Sequence, residues 1–420
     1  MNRKEHEIMN KDITIGISGP INLALLNWNI DKTGLPPTNE FPLTSHLINA
    51  LLKRGYKVIG YTNSNAIAEP MVLQDGNLKV CIGRTKKQPG RRLFDFERQE
   101  LTSQMLAHPS DIIYALWSYE YSWAGLDSGI PTIVSVHDVA SRIFFTQPDI
   151  FRLVRWYMNY RVLSKAKYVV ANSDYTYKQL SGSVKRKANI AYNFYDTSFE
   201  ESIPRGLEKQ NYIASVSMGF TKRKGVPTSL EAFAKLRKKF PDLQYHLIGV
   251  GMEEGGEAHQ YALQRGLAEG VKFLGPLPFD ELLRQVAQAK VLIHASVEES
   301  FGMAVLEAMV VGTPVVGGKK SGFIPYLLNK GKAGMLCNVS KPAAIAAATK
   351  KLLKDQDFRD KLTQKAAAFA KDNFSEEVVV DKLIRYMHKV LQQEASASKK
   401  KPNATGLKLP KDTIATVHEI

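Results

Sequence analysis

Hydrophobic residues along this chain gather in short runs of strand length, and the segments between them carry apolar residues at helical spacing. Ile13-Thr-Ile-Gly-Ile-Ser opens the first half. A helix follows, with Leu43, Leu47, Ile48, Leu51 and Leu52 on one face and Gly55 as its stop. Tyr56-Lys-Val-Ile-Gly-Tyr, Asp111-Ile-Ile-Tyr-Ala-Leu, Pro131-Thr-Ile-Val-Ser-Val and Tyr168-Val-Val-Ala-Asn read as further strands. The second half restarts at Asn211-Tyr-Ile-Ala-Ser-Val. A helix over Pro227–Phe240 and the strands Gln244-Tyr-His-Leu-Ile-Gly, Val271-Lys-Phe-Leu-Gly, Val291-Leu-Ile-His and Pro314-Val-Val-Gly continue it. Strands alternating with helices predict parallel sheets covered by helices. The class is therefore α/β, with two Rossmann-like, doubly wound domains facing a cleft.

The expected boundaries are 12–197 for the first domain and 198–374 for the second, joined near 197–205. A closing helix over 375–393 has Val380, Leu383, Ile384, Met387 and Leu391 as one stripe and is expected to cross back to the first domain. Residues 394–420 read as a basic, disordered tail, because Ser398-Lys-Lys-Lys-Pro-Asn and the residues after it lack an apolar pattern.

One stretch carries more chemistry than the rest. Val291-Leu-Ile-His-Ala runs into Glu299-Ser-Phe-Gly-Met-Ala-Val-Leu-Glu307, then Ala-Met-Val-Val-Gly312-Thr-Pro314-Val-Val. Ser300 suits an N-cap, Phe301, Val305, Ala308 and Met309 form a helical stripe, and Gly312 with Pro314 ends the helix. Amides near Phe301, Gly302 and Met303 would leave a helix N-terminus free for a phosphate. Glu299 stands at the mouth of that site. Glu307, about two turns further, is placed to accept hydrogen bonds from a ribose diol. Phosphate, ribose and a further polyol fit one ligand, a nucleotide-sugar.

Composition narrows the partners. The 420 residues carry 57 Lys and Arg against 41 Asp and Glu, a formal charge of +16. That calls for an anionic partner: phosphorylated substrates, an anionic membrane surface or nucleic acid. The start, Met1-Asn-Arg-Lys-Glu-His-Glu, is charged and no apolar run follows, so no signal peptide is expected. Nor is a membrane span, since the best candidate, Met303 to Gly318, contains Glu307 and Pro314. Two distant cysteines, Cys81 and Cys337, fit a reducing, cytoplasmic compartment. Without a His-x-His or His-x-x-x-His pair, no dedicated metal site is expected.

The Glu299–Glu307 segment resembles the E-x7-E signature of retaining glycosyltransferases of the GT-B fold, in particular the large family 4 group. The resemblance covers most of Ile13 to Leu391. It implies a transferase that moves a sugar from a nucleoside-diphosphate sugar to an acceptor hydroxyl with retention and without a metal or other cofactor. Polysaccharide, lipopolysaccharide and glycolipid assembly all suit it, with a carbohydrate or lipid-linked acceptor and a cytoplasmic site, peripheral on the membrane in one reading. The resemblance assigns catalytic roles to Glu299, His137 and Lys224, and donor binding to Ser300, Phe301, Gly302, Met303, Glu307, Gly219 and Arg223. In Ser217-Met-Gly-Phe-Thr-Lys-Arg-Lys224-Gly225, Lys224 and Gly225 match the family's phosphate loop. Gly219 stands where the family has arginine, and Lys222 or Arg223 is the expected substitute. His137, at the end of Thr132-Ile-Val-Ser-Val136, is expected to face the cleft and touch the donor sugar. Asn172-Ser173 and Asn193-Phe-Tyr-Asp196 match the family as cleft-shaping segments.

Other motifs favour plainer readings. Gly249-Val-Gly251 with Gly255 is a near miss to a dinucleotide fingerprint and reads as a tight turn. Gly312 to Gly318 lacks the lysine of a P-loop. The single Asp-x-Asp, Asp355-Gln-Asp357, reads as helix capping. The first loop, Gly19 to Asn39, departs from the family; Gly34 is its candidate for close backbone approach. Phe151-Arg-Leu-Val-Arg-Trp-Tyr-Met-Asn-Tyr-Arg161 admits two readings, a helix on an anionic bilayer or an ordinary domain helix with its aromatics in the core. Two other function classes stay open at this level: a nucleotide-sugar epimerase or hydrolase on the same architecture, and a basic nucleic-acid-binding protein, for which interleaved basic and aromatic residues occur only in Phe151–Arg161. No nucleic-acid partner is expected.

Overall fold

The computed structural model describes residues 11–86, 92–197 and 207–399. Most of the expected join, and the tail from residue 400, lie outside the described residues.

The first sheet is built from β1 (Thr14–Ser18), β2 (Lys57–Ser64), β3 (Met71–Asp75), β4 (Leu78–Arg84), β5 (Ile112–Leu116), β6 (Thr132–Val136), β7 (Tyr168–Ala171) and β8 (Ala188–Ile190). Their order is β3-β4-β2-β1-β5-β6-β7-β8, parallel except for the β3–β4 hairpin. The apolar pattern did not predict that hairpin, because β3 is an exposed edge without a continuous apolar run. Its turn, Asp75-Gly76 with Gly76 at φ +53°, was the available signal. The second sheet contains β9 (Tyr212–Val216), β10 (Gln244–Ile248), β11 (Val271–Gly275), β12 (Leu292–Ile293), β13 (Val315–Gly318) and β14 (Met335–Cys337). It is parallel throughout, in the order β11-β10-β9-β12-β13-β14.

Strands β1, β5, β6 and β7 are buried along nearly their whole length, as strands covered on both faces must be. Apolar clusters fill both faces of the second sheet, one around Phe301, Val305 and Met309 and the other around Phe233, Tyr245 and Leu247. The closing helix runs Glu376–Lys399, longer than its apolar stripe suggested. It returns to the first sheet, where Val379, Val380, Leu383, Ile384, Met387 and Val390 join the core with Ile15, Leu47 and Tyr114. Arg54 fastens it by bonding Glu376 at 2.8 Å and Asp381 at 2.9 Å.

Candidate active site

In an open parallel sheet, a crevice forms where the strand order reverses, beyond the carboxyl ends of the two strands at that point. In the second sheet those strands are β9 and β12, which pair through Ala214 and Leu292. The loops that leave them are the Ser217–Gly225 loop and the His294–Glu299 segment. Gly225 locks one to the other. It sits at φ +68°, and a Cβ there would lie 2.2 Å from the Ala295 carbonyl oxygen. The Val297 N–H donates to the Arg223 carbonyl at 2.9 Å.

This clamp sets Lys224 Nζ 2.7 Å from Glu299 Oε1, with the two side chains only 15% and 12% exposed. His294 Nε2 stands 3.5 Å from the same oxygen. Burial works to raise the Glu299 pKa, but the adjacent His294 ring and the Lys224 ammonium outweigh it, and the carboxyl is held well below the ordinary carboxylate range. His294 is the residue that sequence reasoning missed. Its signal was the one used for His137: a histidine at the carboxyl end of an apolar strand.

The helix after Glu299 begins later than its sequence suggests. It spans Met303–Val310, and its N-cap is Gly302 at φ +104° rather than Ser300. The reason is packing. Phe301 is buried and stacked on Phe323 with ring centroids 5.1 Å apart. Ser300 turns its carbonyl toward the Ser173 hydroxyl of the first domain. A Cβ on Gly302 would meet Ile324 Cδ1 at 2.6 Å. Phe301 therefore offers only its backbone to a ligand, and Glu307 lies one turn into the helix, not two. The Val305 and Leu306 N–H groups bond the Gly302 carbonyl, at 3.0 and 3.2 Å, and the amides before them lack intrahelical acceptors. Gly312, at φ +76°, ends the helix as its sequence predicts.

Glu307 is half-buried, and among the described residues its carboxylate has no side-chain partner. Desolvation alone pushes its pKa up to about 7. A carboxyl in this state has spare hydrogen-bonding capacity.

Gly219 sits at φ +84°, and a Cβ there would meet only Thr221 Cγ2 at 3.9 Å, so the position is open. Arg223 is partly committed: its Nη1 bonds the Glu298 carbonyl at 3.0 Å. Lys222 is exposed. Asp355 accepts from the Phe358 N–H and caps its helix. Among the described residues no group of three or more His, Cys, Asp or Glu is arranged to hold a metal ion.

The first domain closes over this cluster from β6 and β7. Tyr175 donates to Glu298 at 2.7 Å, and Asn193 approaches Met303 Sδ at 3.7 Å. His137, expected to face the cleft, is buried, at 8% exposure. Phe41 packs edge-on against it at 5.7 Å, and Ser135 Oγ bonds its Nε2 at 2.9 Å. Asn193, Phe194 and Leu383 help wall the small cavity it lines. Burial lowers its pKa to about 4, so the ring is neutral at neutral pH, and Nδ1 has no hydrogen-bond partner among the described residues. Beside it, the Tyr119 hydroxyl donates to the Asp138 carboxylate, 2.7 and 2.9 Å from its two oxygens. In the first loop, Gly19 makes the close approach, with a Cβ site 3.2 Å from Leu116 Cβ. Gly34 faces open space.

Residues 198–369 match the family described as glycosyl transferases group 1, and residues 43–199 match glycosyltransferase family 4. The two matches lie on the second and the first domain respectively, and together they run from residue 43 to residue 369. A D-inositol 3-phosphate glycosyltransferase of Corynebacterium urealyticum is 28% identical over 52% of the chain and 57% of its own length. An N-acetyl-alpha-D-glucosaminyl L-malate synthase of Bacillus anthracis is 25% identical over 63% of the chain and 69% of its own length. The matched region thus spans little more than half of the first of these relatives. Among solved structures, a sucrose-phosphate synthase of Thermosynechococcus elongatus superposes with a TM-score of 0.70 at 17% identity, covering 92% of the chain and all of that structure. The Anabaena protein HepE in complex with UDP-glucose gives 0.61 at 19% identity over 92% of the chain and all of its own. These two likenesses establish the two-domain GT-B fold of the chain.

Proposed function

We propose that this protein is a retaining, metal-independent glycosyltransferase that moves a sugar from a nucleoside-diphosphate sugar to the hydroxyl of a carbohydrate or lipid-linked acceptor. The observation that carries the reading is the Lys224–Glu299–His294 cluster set beside a helix N-terminus, with Glu307, which has no side-chain partner among the described residues, one turn further on. Breaking the bond between the anomeric carbon and the diphosphate leaves negative charge on the departing oxygen and positive charge on the sugar. Lys224 and the amides of the first turn from Gly302 and Met303 take up the former. Glu299, kept ionised, faces the latter and orients the hexose. Glu307 accepts from the ribose hydroxyls, and His137 reaches the sugar through its unpaired Nδ1. The acceptor oxygen bonds to the anomeric carbon on the face the diphosphate leaves, and its proton passes to the departing phosphate oxygen, as in the resembling family. Arg223 assists the second phosphate charge in place of the arginine that Gly219 lacks.

Thermal stabilisation against UDP, GDP, ADP, CDP and TDP, with and without EDTA, tests the donor site. Stabilisation by one diphosphate that survives EDTA and is lost in Glu307→Ala is expected. No shift from any of the five at millimolar concentration overturns the assignment. Donor turnover that proceeds equally without any acceptor would favour a hydrolase or epimerase instead.

A further inference from the structure

The helices Ala140–Thr146 and Ile150–Lys165 expose an unusual amount of apolar surface. Ile150 is 82% exposed, Phe145 72%, Tyr160 65% and Leu153 48%. Ile150, Leu153, Tyr157 and Tyr160 follow one another at steps of three and four, so they share one face. The opposite face holds Met158, Val162 and Leu163 in the domain core. Arg155 is turned inward, paired with Glu120 and lying 3.6 Å over the Tyr119 ring, and Trp156 packs on Phe144 at 5.5 Å. The reading of an ordinary domain helix thus holds for one face only; the other is an apolar stripe that nothing among the described residues covers.

The surroundings of the stripe are cationic. Between residues 140 and 190 there are ten Arg and Lys against two Asp. Arg142, Lys178 and Arg186 are exposed, and Lys165 is exposed and paired with Asp127 at 3.6 Å. A cavity of about 210 Å³ adjoins the stripe. Tyr160, Ser164 and Asn159 wall it on one side, Gln179 and Ser183 on the other, and Asp138, next to His137, also lines it.

We infer that this face docks on an anionic phospholipid bilayer, with Ile150, Leu153, Tyr157 and Tyr160 in the interface and the basic residues against lipid phosphates. Aliphatic and tyrosine side chains inside a cationic rim match that surface chemically. A second copy of the chain would bring two like-charged rims together. Ile150 and Leu153 have no use against nucleic-acid bases, which aromatic side chains stack upon. The inference deepens the transferase reading by favouring a lipid-carried acceptor, whose head group would enter the adjoining cavity.

The test is flotation of the full chain with phosphatidylcholine vesicles, with and without about 30% phosphatidylglycerol, at low and high salt. Binding only to the anionic vesicles, weakened by salt, is expected. The double variant Ile150→Glu with Leu153→Glu should lose at least about tenfold in affinity while keeping its melting temperature and its nucleotide response. Failure of the wild type to float with anionic vesicles, or undiminished binding by the double variant, overturns the proposal. So does a variant that changes only the oligomeric state. Nucleotide binding without lipid, on the same proteins, reports separately on the transferase reading.

Discussion

Replacing Glu307 by Gln should make the unliganded protein more stable at alkaline pH. The carboxyl ordinarily titrates at 4.5 and is pushed up to about 7 in the fold. At about 1.4 kcal/mol for each tenfold change, the upper limit of the penalty is about 3 kcal/mol. Partial solvent access reduces the expectation to about 2 kcal/mol. The sign follows from which state binds more protons. Below the ordinary value both folded and unfolded chains hold the proton, and Glu307 costs nothing. Between 4.5 and about 7 the unfolded chain ionises first, so stability falls as pH rises. Above about 7 the folded chain carries a desolvated charge and the full penalty is present. Denaturant unfolding of wild type and Glu307→Gln from about pH 4 to pH 8.5 reads the difference, because every other titrating group is common to both. The gap should open through that window in favour of the variant. A ribose diol that bonds the ionised form should also drive ionisation, so donor affinity of the wild type should rise about tenfold between pH 6 and pH 8 and that of the variant should stay flat. A variant no more stable than wild type at pH 8, or a gap independent of pH, would refute the argument.

Lys224→Ala leaves Glu299 charged and buried with only His294 near it, and kcat/KM should fall about 100- to 1000-fold; unchanged turnover would remove Lys224 from the mechanism. Gly302→Ala forces a side chain into a left-handed backbone and against Ile324, which should cost about 2–3 kcal/mol in urea unfolding. Arg54→Ala strands the buried Glu376 and frees the start of the closing helix, so amide exchange should quicken over residues 376–390 and the melting temperature should drop. Ser173→Ala removes the hydroxyl bonded to the Ser300 carbonyl across the domains and should cost about 1 kcal/mol.

The architecture was legible because parallel strands buried on both faces must be written as continuous apolar runs, and β1, β5, β6 and β7 are so written. The β3–β4 hairpin escaped because an exposed edge strand needs no such run. The loop positions of Lys224 and Glu299 were likewise visible, since each follows an apolar strand of the second half. Their contact was not, because 75 residues separate them and nothing local encodes the distance.

The sequence by itself therefore determined the alternation of strands and helices, the glutamate pair flanking a helix start, and the glycines that permit tight turns. Tertiary structure decided the rest. The reversal of strand order between β9 and β12 brought Lys224, His294 and Glu299 to one point. Packing of Phe301 on Phe323 moved the helix start from Ser300 to Gly302. Burial, which depends on what the whole chain lays over a residue, withdrew His137 from solvent and raised the Glu307 carboxyl toward neutrality. Local pattern fixes which backbone states are cheap; charge, solvation and proximity are set by neighbours that only the folded chain supplies.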